Sequence, residues 1–197
     1  MRIPKDQLEA YFEYGVDVTN RCIFLIGEIN EEVSAHVLKG LYLMENQNDK
    51  HLPIELRVSS YGGDIYDMFA LHDVTRTLKC PVHTIGIGKI MSAAVLLVAS
   101  GEKNYRWAGE HTSFMIHVPS WDTDNQKLHD HKISLKEGER LWSNWYKLMA
   151  KYTKRPVSFW TKLCNKRDDI YFDAYQAQEW GIIDHIWDEK EGVENDD

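Results

Sequence analysis

The chain of 197 residues is long enough for one domain with a sizeable core, and its composition, 43% hydrophobic and 27% charged, sits in the ordinary globular range. No run approaches the roughly 20 apolar residues of a membrane span, the first residues carry no signal-peptide core, and Cys22, Cys80 and Cys164 have neither disulfide-framework nor zinc-ligand spacing, so a cytoplasmic protein is expected. The formal charge is −8, much of it from six acids and one lysine in residues 188–197, and the weakly acidic body that remains is no natural partner for nucleic acid.

Residues 1–20 are polar and aromatic, with Tyr11, Phe12 and Tyr14 as expected packing anchors. The apolar run Arg21–Gly27 predicts a buried strand. Asn30, followed by Glu31 and Glu32, reads as a helix cap with acids in the first turn, and Val33, Val37, Leu41 and Met44 mark the inner face of a helix reaching about Asn46. Pro53–Val58 alternates as a strand and runs into a turn of small residues, Ser59-Ser-Tyr-Gly-Gly63. Asp64 starts the next helix, with Ile65, Met68, Phe69 and Leu78 on its inner side. Val82–Ile87 is again a strand. Past its glycines the chain turns into a wholly apolar helix, Ala93–Ala99, with Gly101 just beyond its end. Ser92 stands at the start of that helix, where free backbone N–H groups and the helix dipole favour a developing negative charge. A lone serine in such a place is more often a cap.

Tyr105–Ala108 and Ser113–His117 read as short strands, the second ending at Pro119, and residues 120–125 as a polar loop. A long helix from about Lys127 carries the apolar stripe Leu141, Trp145, Leu148 and Tyr152, and stops at Arg155-Pro156. Val157–Cys164 is a further short helix, Asp173 caps a last one over Ala174–Trp180, and Gly181 ends it before a final strand at Ile182-Ile183. Strands alternating with helices imply right-handed βαβ units and an α/β fold with a largely parallel sheet. One domain over residues 1–187 and a solvated acidic tail over 188–197 are expected. Ligands of such sheets bind at the carboxyl ends of the strands, where the Gly62-Gly63 and Ser92 turns both fall.

A serine becomes a nucleophile when a base takes its proton, a third group orients the base, and donors await the oxyanion. His117 ends a strand on the same sheet edge and is the candidate base; Asp168 and Asp169 are candidate orienting acids. Each has an ordinary explanation as well. Nine histidines make a chance placement easy, and acids beside Lys166 and Arg167 commonly form a solvated loop. His129 and His131 lie two apart on a helix and point to different faces, so no metal pair is expected. The seven tryptophans are dispersed, and Trp142 and Trp145 suit core or subunit packing better than ligand stacking.

The stretch Val82-His-Thr-Ile-Gly-Ile-Gly-Lys-Ile-Met-Ser92, followed 25 residues later by Met115-Ile-His117-Val-Pro119, resembles the ClpP family, the proteolytic subunit of ATP-dependent Clp proteases. The resemblance covers nearly the whole chain: Arg21–Gly27 looks like the family's first strand, Ser59–Gly63 like its Asn-Ser-Pro-Gly-Gly turn, and Phe172–Asp184 like its closing helix and strand. It implies a crotonase-like α/β fold with a protruding long helix, assembled as two stacked seven-membered rings. Residue by residue, Ser92 matches the nucleophile, His117 the general base, and Asp169, three before Phe172, the orienting acid. Gly63 and Ala93 match the backbone donors of the oxyanion hole. The implied activity is a serine endopeptidase that cuts unfolded polypeptides inside the ring, with no cofactor of its own and ATP entering only through a partner AAA+ unfoldase.

The departures from the family pattern are specific. Ile90-Met91 precedes the serine, Ala93-Ala94 follows it, Tyr61 replaces the turn proline, and residues 120–125 replace a glycine-rich stretch. Where the family lines its unfoldase pocket with aromatic strand residues and an apolar helix end, this chain has Glu55, Arg57 and Thr75-Arg76-Thr77, so weakened docking of hydrophobic loops is expected. The motif set also fits a phage head-maturation protease of the same fold. A catalytically weak structural subunit of a mixed ring, or an acyl-CoA-processing crotonase relative, would have no need of all three of Ser92, His117 and Asp169.

Overall fold

The computed structural model describes residues 5–47, 52–117, 128–165 and 169–187. The stretches 120–125 and 188–197, expected as loop and tail, lie outside the described residues. In chain order the elements are α1 (Lys5–Tyr14), β1 (Val16–Asp17), β2 (Cys22–Ile29), α2 (Glu31–Glu45), β3 (Ile54–Gly63), α3 (Ile65–Thr77), β4 (Val82–Met91), α4 (Ala93–Ala99), β5 (Arg106–Gly109), β6 (Ser113–Ile116), α5 (Leu128–Tyr152), α6 (Val157–Cys164), β7 (Ile170–Phe172), α7 (Ala174–Trp180) and β8 (His185–Trp187). The caps sit where the sequence put them: Asn30 accepts from the Val33 N–H, Asp64 from Tyr66 and Asp67, and Asp173 from Gln176.

Eight strands form one sheet in the order β1-β2-β3-β4-β5-β8, with β6 joined to β4 and β7 to β6. Among the described residues only the β1–β2 and β6–β7 pairings are antiparallel. This mainly parallel α/β arrangement is the class that the alternation predicted. The inward positions of β3, Ile54, Leu56 and Val58, are all 0% exposed, and α4 is buried along its whole length among them and the flanking helices. Among the described residues no helix is long and apolar enough to cross a membrane.

The decisive feature is a fork in β4. Thr84–Gly86 pair with β5, whereas Lys89–Met91 pair with β6. Between them Gly88 takes φ +68°, a conformation that only glycine adopts at little cost, and it lets the strand leave one neighbour for the other. The strand therefore does not end at Ile87, as the glycines imply in sequence, but runs on to Met91 and delivers Ser92 beside β6. For the same reason Ser59–Gly63 is not a free turn. It is the last half of β3, paired with both neighbours.

Two further expectations are corrected and a third is decided. Tyr11, Phe12 and Tyr14 lie on a helix and are exposed, Phe12 by 78%; Tyr11 and Tyr14 pack edge-on against Phe24 and His36, so they anchor the helix at the surface and add nothing to the core. The last strand is His185–Trp187, not Ile182-Ile183; both isoleucines are buried in the turn before it, and their burial explains the apolar signal. The α5 stripe, open in sequence to core or subunit packing, faces this chain's own core. Leu141 is 2% and Trp145 1% exposed, and Trp145 packs edge-on against Trp160 within the chain. Aromatic contacts continue from Trp160 to Trp180, Phe172 and Phe114, so the stripe belongs to this domain's own core and cannot by itself argue for a ring.

Buried charge closes the far end of the core. Arg106, 4% exposed, donates to both carboxylate oxygens of Asp184 and to the carbonyls of Ala99 and Tyr152, the last residues of α4 and α5. Burial alone would raise the Asp184 carboxyl, but the Arg106 hydrogen bonds and charge hold it below the usual carboxylate range.

Candidate active site

Ser92 joins β4 to α4 with φ +53° and ψ −121°, a left-handed conformation that costs a non-glycine residue about 1–3 kcal/mol. Two bonds hold it there. Its N–H donates to the Met115 carbonyl of β6 at 2.8 Å, and its carbonyl accepts from Val95 at 3.1 Å. The Ser92 side chain makes no cap hydrogen bond, so the everyday role of a serine at a helix start is not the one it fills. Its Oγ lies 2.7 Å from His117 Nε2 instead. With the imidazole proton on Nδ1, Nε2 accepts from the serine hydroxyl, the geometry a general base requires.

His117 follows β6 directly and is half-buried. The β4–β6 register, Lys89 with Ser113 through Met91 with Met115, sets where β6 ends relative to the elbow. The Phe114–Phe172 stack, centroids 5.4 Å apart, fixes β6 from behind. The register of β6 on β7 pairs Ile116 with Ile170; continued by one residue, it sets Asp169 opposite His117. Asp169 is exposed, and among the described residues no hydrogen bond joins it to His117. Asp168 lies outside the described residues. The structure thus brings Ser92 and His117 into contact and puts Asp169 across the strand pair without engaging it.

The second wall of the site is the end of β3. A Cβ on Gly62 would stand 2.7 Å from Ser92 Cβ and 3.0 Å from the Ala93 nitrogen, so the backbone at Gly62 rests directly on the elbow. A Cβ on Gly63 would overlap the Ile29 carbonyl on the opposite side. The peptide between the two glycines carries the Gly63 N–H, and the Ala93 N–H is the first of α4, where no acceptor exists four residues earlier. The site is therefore a hydroxyl, an imidazole and the backbone N–H groups of Gly63 and Ala93, the equipment of acyl transfer.

The thiols offer no competing nucleophile. Cys22, Cys80 and Cys164 are all buried, and burial pushes Cys22 and Cys164 up to about 12. Among the described residues no group of three His, Cys, Asp or Glu is placed to hold a metal ion; the side chains of His129 and His131 lie outside them. Sequence reasoning passed over Ser60, which is 0% exposed and whose Oγ accepts from the Gly62 N–H at 3.0 Å. The signal was there, a serine at the next inward position after Ile54, Leu56 and Val58.

A family model of Clp protease matches residues 5–190, nearly the entire length. The mainly parallel α/β fold agrees with that match, and the chain belongs to the Clp protease family, whose members are serine-type peptidases.

Proposed function

We propose that this chain is a serine endopeptidase that cuts unfolded polypeptides inside an oligomeric chamber. Ser92 Oγ attacks the scissile carbonyl while His117 Nε2 takes its proton; the same imidazole then protonates the leaving amine, and water repeats the cycle on the acyl-enzyme. The carbonyl oxygen gains negative charge in the attack and is met by the N–H groups of Gly63 and Ala93. Asp169, set across the strand pair from His117 without a hydrogen bond to it among the described residues, is proposed as the acid that orients the imidazole. The observation that carries this reading is the 2.7 Å contact between a serine in a strained elbow and His117. A serine held at that conformational cost, with its hydroxyl on an imidazole, is set for catalysis rather than capping.

The reaction needs no cofactor, and ATP enters through a partner unfoldase. The chamber is formed by two stacked heptameric rings in the cytoplasm, with the N-terminal 187 residues as the working domain. One observation favours a second reading, a phage-type maturation protease that acts without an unfoldase: Arg57 and Glu55 neutralise each other at 2.7 Å on the sheet face where a hydrophobic loop would dock. The test is a fluorophosphonate probe, which acylates only an activated serine. Wild type is labelled and S92A and H117A are not; labelling that survives in S92A, or peptide turnover by purified S92A, refutes the mechanism.

A further inference from the structure

Ser60 is a fully buried hydroxyl in the middle of the sheet, at a position where β3 otherwise carries only aliphatic side chains. A buried polar group is retained where it satisfies another, and Ser60 Oγ accepts from the Gly62 N–H at 3.0 Å while lying 3.4 Å from the Gly62 carbonyl. A serine closing on the N–H two residues ahead turns the backbone locally, in competition with the strand ladder. That is where the ladder breaks: the β3–β4 register slips between Val58 and Ser60, and Gly62 and Gly63 take φ +94° and +146°. The closed loop presses Gly62 onto the Ser92 elbow.

We infer that Ser60 is a positioning residue for the oxyanion site. Its hydroxyl holds the Gly62–Gly63 peptide so that the Gly63 N–H and the Ala93 N–H converge on one point. The inference rests on the serine-peptidase reading, since it concerns how that reaction's charge is stabilised. It sharpens that reading by assigning the placement of one donor to a side chain remote from the substrate.

A group that places an oxyanion donor affects the transition state more than substrate binding. S60A is therefore expected to lower kcat by about 10- to 100-fold, as a donor displaced by about 1 Å would, with KM changed less than about threefold. A peptide boronate, which forms a tetrahedral adduct on the serine, should lose affinity in the same proportion as kcat. S60T keeps the hydroxyl and suits a strand, and it should return to within about threefold of wild type. If S60A does not fold, S60C carries the test: sulfur is a weak acceptor of similar size, and an intermediate kcat at unchanged KM is expected. A merely structural Ser60 would give a lower melting temperature with kcat per folded molecule and boronate affinity unchanged, and that result overturns the inference. An active wild type beside fully active S60A and S60C overturns it alone. A wild type inert to both boronate and substrate overturns the peptidase reading, and this inference with it.

Discussion

Gly62→Ala tests the site through a single methyl group. Gly62 has φ +94°, where an L-residue costs about 1–2 kcal/mol, and its new Cβ would lie 2.7 Å from Ser92 Cβ and 2.8 Å from the Met91 carbonyl. Ordinary contact begins near 3.4 Å, so one side must retreat by about 0.7 Å. The elbow is the less able to move: its N–H is tied to Met115, and the helix behind it is buried throughout. The retreat therefore falls on the Gly62–Gly63 peptide and takes the Gly63 N–H with it. Displacements of this size cost about 10²-fold in rate, and loss of an oxyanion donor about 10²- to 10³-fold. Gly27 supplies the control, with φ +103° and nothing within 4 Å of an added Cβ. G27A should lose, by thermal melting, the stability that a positive φ costs without a clash, yet hydrolyse a fluorogenic peptide at the wild-type rate. G62A turnover within about threefold of G27A would refute the idea that this peptide forms part of the site.

The remaining predictions address the base, the pH response and the partner. Asp169→Asn should lower peptide turnover by up to about 10⁴-fold through the wrong imidazole tautomer, with Asp168→Asn near wild type; the opposite result moves the assignment by one residue. His72 is buried between α3 and α5, with Nδ1 on Asp73 at 2.8 Å and Nε2 on the Tyr152 hydroxyl at 2.9 Å, and burial lowers it below 6.5 despite Asp73. The unfolded chain then takes up protons first, so the stability contributed by neutral His72 is present above about pH 6.5 and is lost as pH falls below it; His83, lowered by the same cause, adds in the same sense. H72Q should flatten part of that slope in urea melts between about pH 7 and 5, and an unchanged slope would exclude His72 as its source. A pull-down with a Clp unfoldase and ATP should show poor binding by wild type and stronger binding by the double variant Glu55→Tyr, Arg57→Tyr, since a loop side chain buried on aromatic surface gains roughly 1.5–3 kcal/mol; tight, loop-dependent binding by wild type would mean that the dock lies elsewhere.

The legible parts of the fold were those that local chemistry decides. Asn30, Asp64 and Asp173 cap because a short side-chain oxygen reaches the N–H groups of its own next turn, and no distant residue is consulted. What the sequence hid depends on partners far along the chain. Glycine at 86 and 88 reads equally as a turn or as a strand changing neighbours, and only β6, more than 20 residues later, decides for the second. Ile182-Ile183 carries the apolar signal of a strand, yet the pairing edge of β5 is met by His185–Trp187. Stripe residues on α5 raise the same ambiguity, because an aromatic face is equally ready for a neighbouring subunit or for α6; the Trp145–Trp160 contact chose α6.

The site divides along the same line. Ser92 and His117 could be paired as candidates because a strand-turn-helix and a strand end place both at one sheet edge, and the contact then needs only the β4–β6 register. Asp169 was harder, since adjacent acids look alike in sequence; the register that pairs Ile116 with Ile170 points, continued by one residue, to 169, while Asp168 lies outside the described residues. Ser60 was passed over for a different reason. Its role is not in its type but in the parity of its strand, where an inward position after three aliphatic residues holds a hydroxyl. Parity is readable once the strand is known to continue past Val58. Knowing that requires the neighbours on both sides, because a serine-and-glycine stretch has too little side chain to declare its own conformation.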